Sequence, residues 1–272
     1  CTPEQWDKNM ELYKNGDTYL VNTVNNVIKQ ADIYVNTPPA PYFIDGGGRY
    51  LVRTERFAIK YCAFAFAVTG EQKYFDRMFT GIETASAYPD WYPSHWLDVA
   101  EMSYAFAIAY DLCYDSFTDA QRRLLRNGLM KNGIEQGCKT WRENGSVPRV
   151  GTNWQEVCSG GAGLAALVLI DEPGYYNICA EFVNHAIRTL PTGLVAYGPD
   201  GAFPEGLAYW EYASKFFFNF DKALFNTIGT DFGLSDMPGL SKTGFFPTVS
   251  VGPVNQFNYS DSNEEKGKVS DA

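Results

Sequence analysis

Thr69-Gly-Glu-Gln-Lys-Tyr-Phe-Asp-Arg-Met-Phe-Thr-Gly-Ile82 joins two helical patterns across a single glycine. The run before it, Val52 to Thr69, reads as a helix closed by Gly70. The run after it, Glu71 to Ala85, puts Tyr74, Met78 and Ile82 on one stripe, the four-residue recurrence of an amphipathic helix. A helical hairpin is the unit, and the chain repeats it on both sides. Upstream, Thr2 to Asn36 forms one or two amphipathic helices, followed by a Pro-rich loop from Thr37 to Pro41 and a Gly46-Gly47-Gly48 turn. Those glycines have no Lys-Ser/Thr after them and so make no phosphate loop.

Downstream, an aromatic loop from Tyr88 to Trp96 leads into a helix from about Leu97 to Tyr114. Thr118 with Gln121 makes a capping-box pattern that opens a helix running to about Cys138. Thr140 to Thr152 is polar loop, and Asn153 to Ile170 and Tyr175 to Leu190 are helices. The loop Tyr197 to Gly206 precedes a long helix from Leu207 to about Ile228. Strand alternation is nearly absent before Phe245, so the class is all-α. Consecutive hairpins of helices 15 to 20 residues long suggest an α/α solenoid or toroid, with one set of loop ends gathered around a cleft. The pattern divides into an N-terminal helical segment (1–48), a hairpin domain (49–244) and a stretch rich in Gly, Pro, Phe and β-branched residues (245–272) that reads as a linker towards a further element.

The 272 residues carry a net charge of −10, which repels phosphate backbones and argues against a nucleic-acid partner. Apolar runs are too short for a transmembrane segment. Six cysteines show no CxxC pair, and only His95 and His185 are present, so neither a metal nor another cofactor is expected. Cys62, Cys113, Cys158 and Cys179 read as small buried hydrophobes. Cys1 at the start is what a lipid-modified residue after signal cleavage, or a trimmed boundary, would give. Aromatics make up 16% of the chain, enough to serve both a core and a sugar-stacking cleft.

Chemistry concentrates at three helix starts. Gly151-Thr-Asn-Trp-Gln-Glu places Asn153, Trp154 and Gln155 where backbone N–H groups favour anions, although Thr152 or Asn153 would equally serve as a plain cap. Pro199-Asp-Gly-Ala-Phe-Pro-Glu-Gly-Leu-Ala-Tyr-Trp-Glu-Tyr212 gathers Asp200, Glu205, Tyr209 and Tyr212. Trp91, His95 and Trp96 precede Asp98 and Glu101 at the third. These two acids also fit ordinary compensation of the helix dipole.

The segments Thr69 to Phe75, Pro93 to Asp111, Thr152 to Cys158, Pro199 to Gly206 with Tyr209-Trp210, and Gly229 to Leu234 together resemble the helical domain of heparinase II/III-like polysaccharide lyases and related alginate lyases. The resemblance spans roughly Tyr50 to Ser262. It implies an incomplete (α/α) toroid followed by a β-sheet domain that this chain lacks, and β-elimination on an acidic, uronate-containing polysaccharide. Asn153 matches the family's carboxylate-neutralising Asn, and Tyr209 its catalytic Tyr. Some members carry His directly after that Asn; this chain carries Trp154. The resemblance further implies a periplasmic, secreted or surface-anchored protein. Arg53 and Arg56 are candidates for gripping a carboxylate and for lowering a phenol's pKa. Trp91, His95, Trp96, Trp154, Gln155, Glu205 and Tyr212 are candidates for holding sugar. Two alternatives stay open: a toroid glycosidase using Asp98 or Asp200 with Glu205, and a non-catalytic glycan-binding domain.

Overall fold

The computed structural model describes residues 2–44, 53–145, 152–252, 256, 257, 259, 260 and 262. The fold is all-α: 75% of the described residues are helical, and no strand forms among them. The first two helices are α1 (Pro3–Lys14) and α2 (Thr18–Val35). Thr2 with Gln5 makes a capping box on the first, and the carboxylate of Asp17 accepts the Leu20 N–H at 3.0 Å to start the second. The quoted hairpin is α3 (Arg53–Thr69) and α4 (Gln72–Ser86), with Gly70 at φ +71° between them.

Four more helices complete the middle of the chain: α5 (Leu97–Cys113), α6 (Asp119–Leu129), α7 (Glu135–Asn144) and α8 (Trp154–Leu169). A π-helical turn, Met130–Ile134, links α6 to α7. Next come α9 (Tyr176–Thr189), α10 (Pro191–Leu194), α11 (Leu207–Ile228) and the short α12 (Phe246–Ser250). The expected capping box is present: Gln121 Oε1 accepts the Thr118 N–H at 2.8 Å, while Thr118 Oγ1 accepts the Gln121 N–H. The apolar-rich segment from Phe245 forms α12, and then a single antiparallel bridge between Val251 and Gln256.

Packing follows two rows. Helices α2, α3, α5, α8 and α11 touch in that order, and α4, α6, α7 and α9 back them as a second layer. The central members of the first row approach closely because α8 carries glycines. A Cβ at Gly161 would lie 2.6 Å from the carbonyl oxygen of Ala100 in α5, and one at Gly160 would lie 2.5 Å from that of Phe216 in α11. Bare backbone on two faces of α8 thus sets both spacings. At the other end of the row, buried Arg77 grips buried Glu55 through two nitrogens, at 3.0 and 3.2 Å. The same carboxylate takes the N–H of Ala40 at 2.6 Å, which pins the Pro-rich loop to the hairpin.

Two expectations need correction. The polar stretch from Thr140 is helical as far as Asn144, where Gly145 closes α7 in the left-handed region. Tertiary contact overrides composition there: Trp141 is buried against Phe182 of α9 at 4.5 Å, and Arg142 Nε reaches Glu181 at 2.7 Å. Trp91 and Trp96 are core residues rather than a sugar platform. Both rings are fully covered, with indole N–H groups satisfied by the Ala85 carbonyl at 2.9 Å and the Thr140 hydroxyl at 3.0 Å. The cysteines at 62, 113, 138, 158 and 179 are free and buried, as the apolar surroundings of Cys62, Cys113, Cys158 and Cys179 led us to expect.

Candidate functional site

The starts of α5, α8 and α11 meet at one rim. Ahead of α5, Tyr92 adopts a left-handed conformation (φ 58°) held by Asp90, whose carboxylate accepts the Tyr92 N–H at 2.8 Å. That bend delivers the turn Pro93–His95, and His95 Nδ1 lies 2.6 Å from Asp98 Oδ2. A carboxylate only accepts, so Nδ1 carries the hydrogen and Nε2 is left as the ring's other face. Asp98 is buried, whereas the His95 side chain keeps 26% of its surface. Its ring stands edge-on to Trp154 at 5.0 Å.

Asn153, at the start of α8, does not cap its own helix. Its backbone N–H donates to Glu205 Oε2 at 2.6 Å, and its carboxamide Nδ2 donates to both Glu205 oxygens at 3.1 Å. A carboxylate is therefore held on the N-terminus of α8 by three hydrogen bonds from two nitrogens, across 52 residues of sequence. Asn153 is buried, its Oδ1 has no hydrogen-bond partner among the described residues, and half-buried Glu205 lies over its donors.

Glu205 leads directly into α11, where Gly206 (φ +87°) turns the chain so that Tyr209 follows four residues on. The Tyr209 ring meets Tyr212 at 6.5 Å. The Tyr212 hydroxyl donates to Glu101 of α5, and Glu101 in turn pairs with Arg56 of α3. Contacts therefore link His95 to Trp154, Asn153 to Glu205, and Tyr209 through Tyr212 to Glu101, which lies one turn beyond Asp98.

Charge around this rim is uneven. Burial pushes the Tyr212 phenol upwards, with the Arg56 guanidinium partly opposing it. Burial, then the charges of Lys215 and Arg56, hold the Lys60 ammonium well below its ordinary value. Burial lowers Lys215 too, against the pull of Glu211. Below Asn153, the fully buried Glu156 has no side-chain hydrogen-bond partner on either oxygen among the described residues. Burial raises its pKa to about 8; its own backbone N–H opposes the rise, and the Glu205 charge adds to it.

Of the residues singled out from the sequence, the structure brings together Asn153, Trp154, His95, Glu205, Tyr209, Tyr212 and Arg56. Gln155 does not join them, for it is fully buried and its amide donates to Ser159 and Thr189 at 2.8 and 3.0 Å. Arg53 opens α3, but its side chain lies outside the described residues. Asp200 sits in an exposed turn, accepting the Ala202 N–H at 3.3 Å. Three ionisable residues went unremarked. Lys60 and Lys215 had a usable signal, since each follows a candidate on the same helix by one turn: Lys60 after Arg56, Lys215 after Tyr212. Glu156 had none.

No family model and no curated protein matches this chain in sequence.

Proposed function

We propose that this chain is the helical part of a polysaccharide lyase, an incomplete (α/α) toroid of the heparinase II/III-like kind that works with a β-rich partner domain on a uronic-acid polymer. The observation that carries the reading is the grip of Asn153 on a carboxylate. Its N–H and carboxamide already hold one, that of Glu205, at the positive end of a helix. A uronate carboxylate that displaces Glu205 meets the same donors. Neutralising its charge there acidifies the adjacent C5–H, and this is what β-elimination requires.

Tyr209, half-buried four residues beyond Glu205, is positioned to give its phenolic proton to the departing O4. Hydrolysis by paired carboxylates has less support, since Asp98 is held by His95 and Glu205 by Asn153. The test is a panel of uronate polysaccharides. The expected result is ultraviolet absorbance from unsaturated ends, lost in Asn153→Ala and Tyr209→Phe. New reducing ends without that absorbance would mean hydrolysis and would overturn the reading.

A further inference from the structure

The reaction just described needs a group to remove the C5 proton, and one side chain at the rim is built for that task. His95 Nδ1 donates to a buried carboxylate at 2.6 Å, which fixes both the tautomer and the tilt of the ring. Its Nε2 makes no hydrogen bond to any described residue, and the ring retains solvent access. Its ring meets edge-on that of Trp154, which directly follows Asn153, the residue proposed to hold the uronate. His185, the other histidine, is a contrast: it stacks on Trp141 at 5.2 Å and lies 3.7 Å from Glu181, in the second layer of helices.

We propose that His95 is the base that abstracts the C5 proton, and that Asp98 is the positioning residue that orients it. The assignment rests on the lyase reading above. In the step, Nε2 takes the proton from C5 and the released electron pair forms the C4=C5 double bond. The C4–O4 bond breaks, and O4 leaves with the phenolic proton of Tyr209. The imidazolium then returns its proton to the tyrosinate through solvent. Nothing is oxidised or reduced, and no co-reactant is needed. Asp98 stays ionised throughout and stabilises the imidazolium as it forms.

The experiment compares His95→Gln, His95→Ala and Asp98→Asn with the unmodified protein on whichever polymer of the panel yields unsaturated ends. His95→Gln should lower kcat by about 100-fold or more with KM changed little, the range expected for loss of a general base. Added imidazole should restore part of the activity of His95→Ala, a response that a merely structural role would not give. Asp98→Asn should lower kcat by about tenfold or more, since Asn favours the wrong tautomer. If His95→Gln keeps kcat within about threefold while Asn153→Ala and Tyr209→Phe are inactive, the assignment is wrong and the lyase reading stands. Loss in His95→Ala that imidazole does not restore also overturns it. If no polymer yields unsaturated ends, the reaction itself is wrong and the assignment falls with it.

Discussion

Glu156 shows how much a single buried side chain can set. It lies in the first turn of α8, fully buried, with neither carboxyl oxygen partnered among the described residues, and burial pushes its pKa up to about 8 from an ordinary 4.5. An acid whose folded value is raised holds its proton more tightly in the folded chain than in the unfolded one. Between pH 4.5 and about 8 the unfolded chain has lost that proton while the folded chain keeps it. Stability therefore falls as pH rises through this window, by up to about 1.4 kcal/mol per unit, and levels off above it. Glu156→Gln copies the neutral form and removes the slope. The variant should melt roughly 3 °C or more above the unmodified protein at pH 8, with the gap closing towards pH 5. Thermal melts across that range check it, and parallel curves would show that Glu156 does not bind the proton. None of this was legible in the sequence. Glu156 follows Trp154 and Gln155 as an ordinary first-turn acid, and only the packing of α8 takes it out of water.

At the scale of elements, what could be read was what is local. The capping box at Thr118 and the stripe of Tyr74, Met78 and Ile82 depend on residues three or four apart, and both are present. Trp91 and Trp96 misled because an aromatic in a loop gives the same signal whether it faces a ligand or plugs a core. The pairing of Asn153 with Glu205 spans 52 residues and has no local signature at all. The glycines of α8 fall between these cases. Gly160-Gly161 reads as a weak spot in a helix, each glycine costing about 1 kcal/mol against alanine. Here they let α5 and α11 approach backbone to backbone, and so hold the three helix starts together. On an exposed helix Gly161→Ala would stabilise by up to about 1 kcal/mol. Here its Cβ would lie 2.6 Å from the Ala100 carbonyl oxygen, which no rotamer can relieve. The expected effect is a loss of roughly 2–3 kcal/mol, as for an overpacked core. Chemical denaturation checks the magnitude, and a variant as stable as the parent would mean that α5 can slide.

At the scale of the whole molecule, a net charge of −10 is hard to reconcile with an acidic ligand unless cations are placed where the ligand goes. Arg56 is paired with Glu101, so it adds little field of its own. Lys60 lies over the rings of Phe57 and Tyr61 at 4.7 and 5.1 Å, and neither it nor Lys215 has a carboxylate within 4 Å among the described residues. Holding two partly buried ammonium groups with no ion pair among the described residues costs the fold stability, since both are pushed towards their neutral forms. A charge that weakens the fold and makes no ion pair among the described residues fits a partner that arrives from outside. Lys60 sits one turn from Arg56 and Lys215 one turn from Tyr212, so such an anion would lie alongside the proposed reaction centre. Two effects of opposite sign then follow from one substitution. Lys60→Met should raise the melting temperature and also raise KM for a carboxylated polymer by roughly tenfold, with kcat little changed. Added salt should weaken binding less in the variant than in the parent, because one screened attraction is gone. Melting curves and salt-dependent kinetics on the same protein separate the two effects. A KM that does not move, whatever the melting temperature does, would leave these lysines without a part in binding.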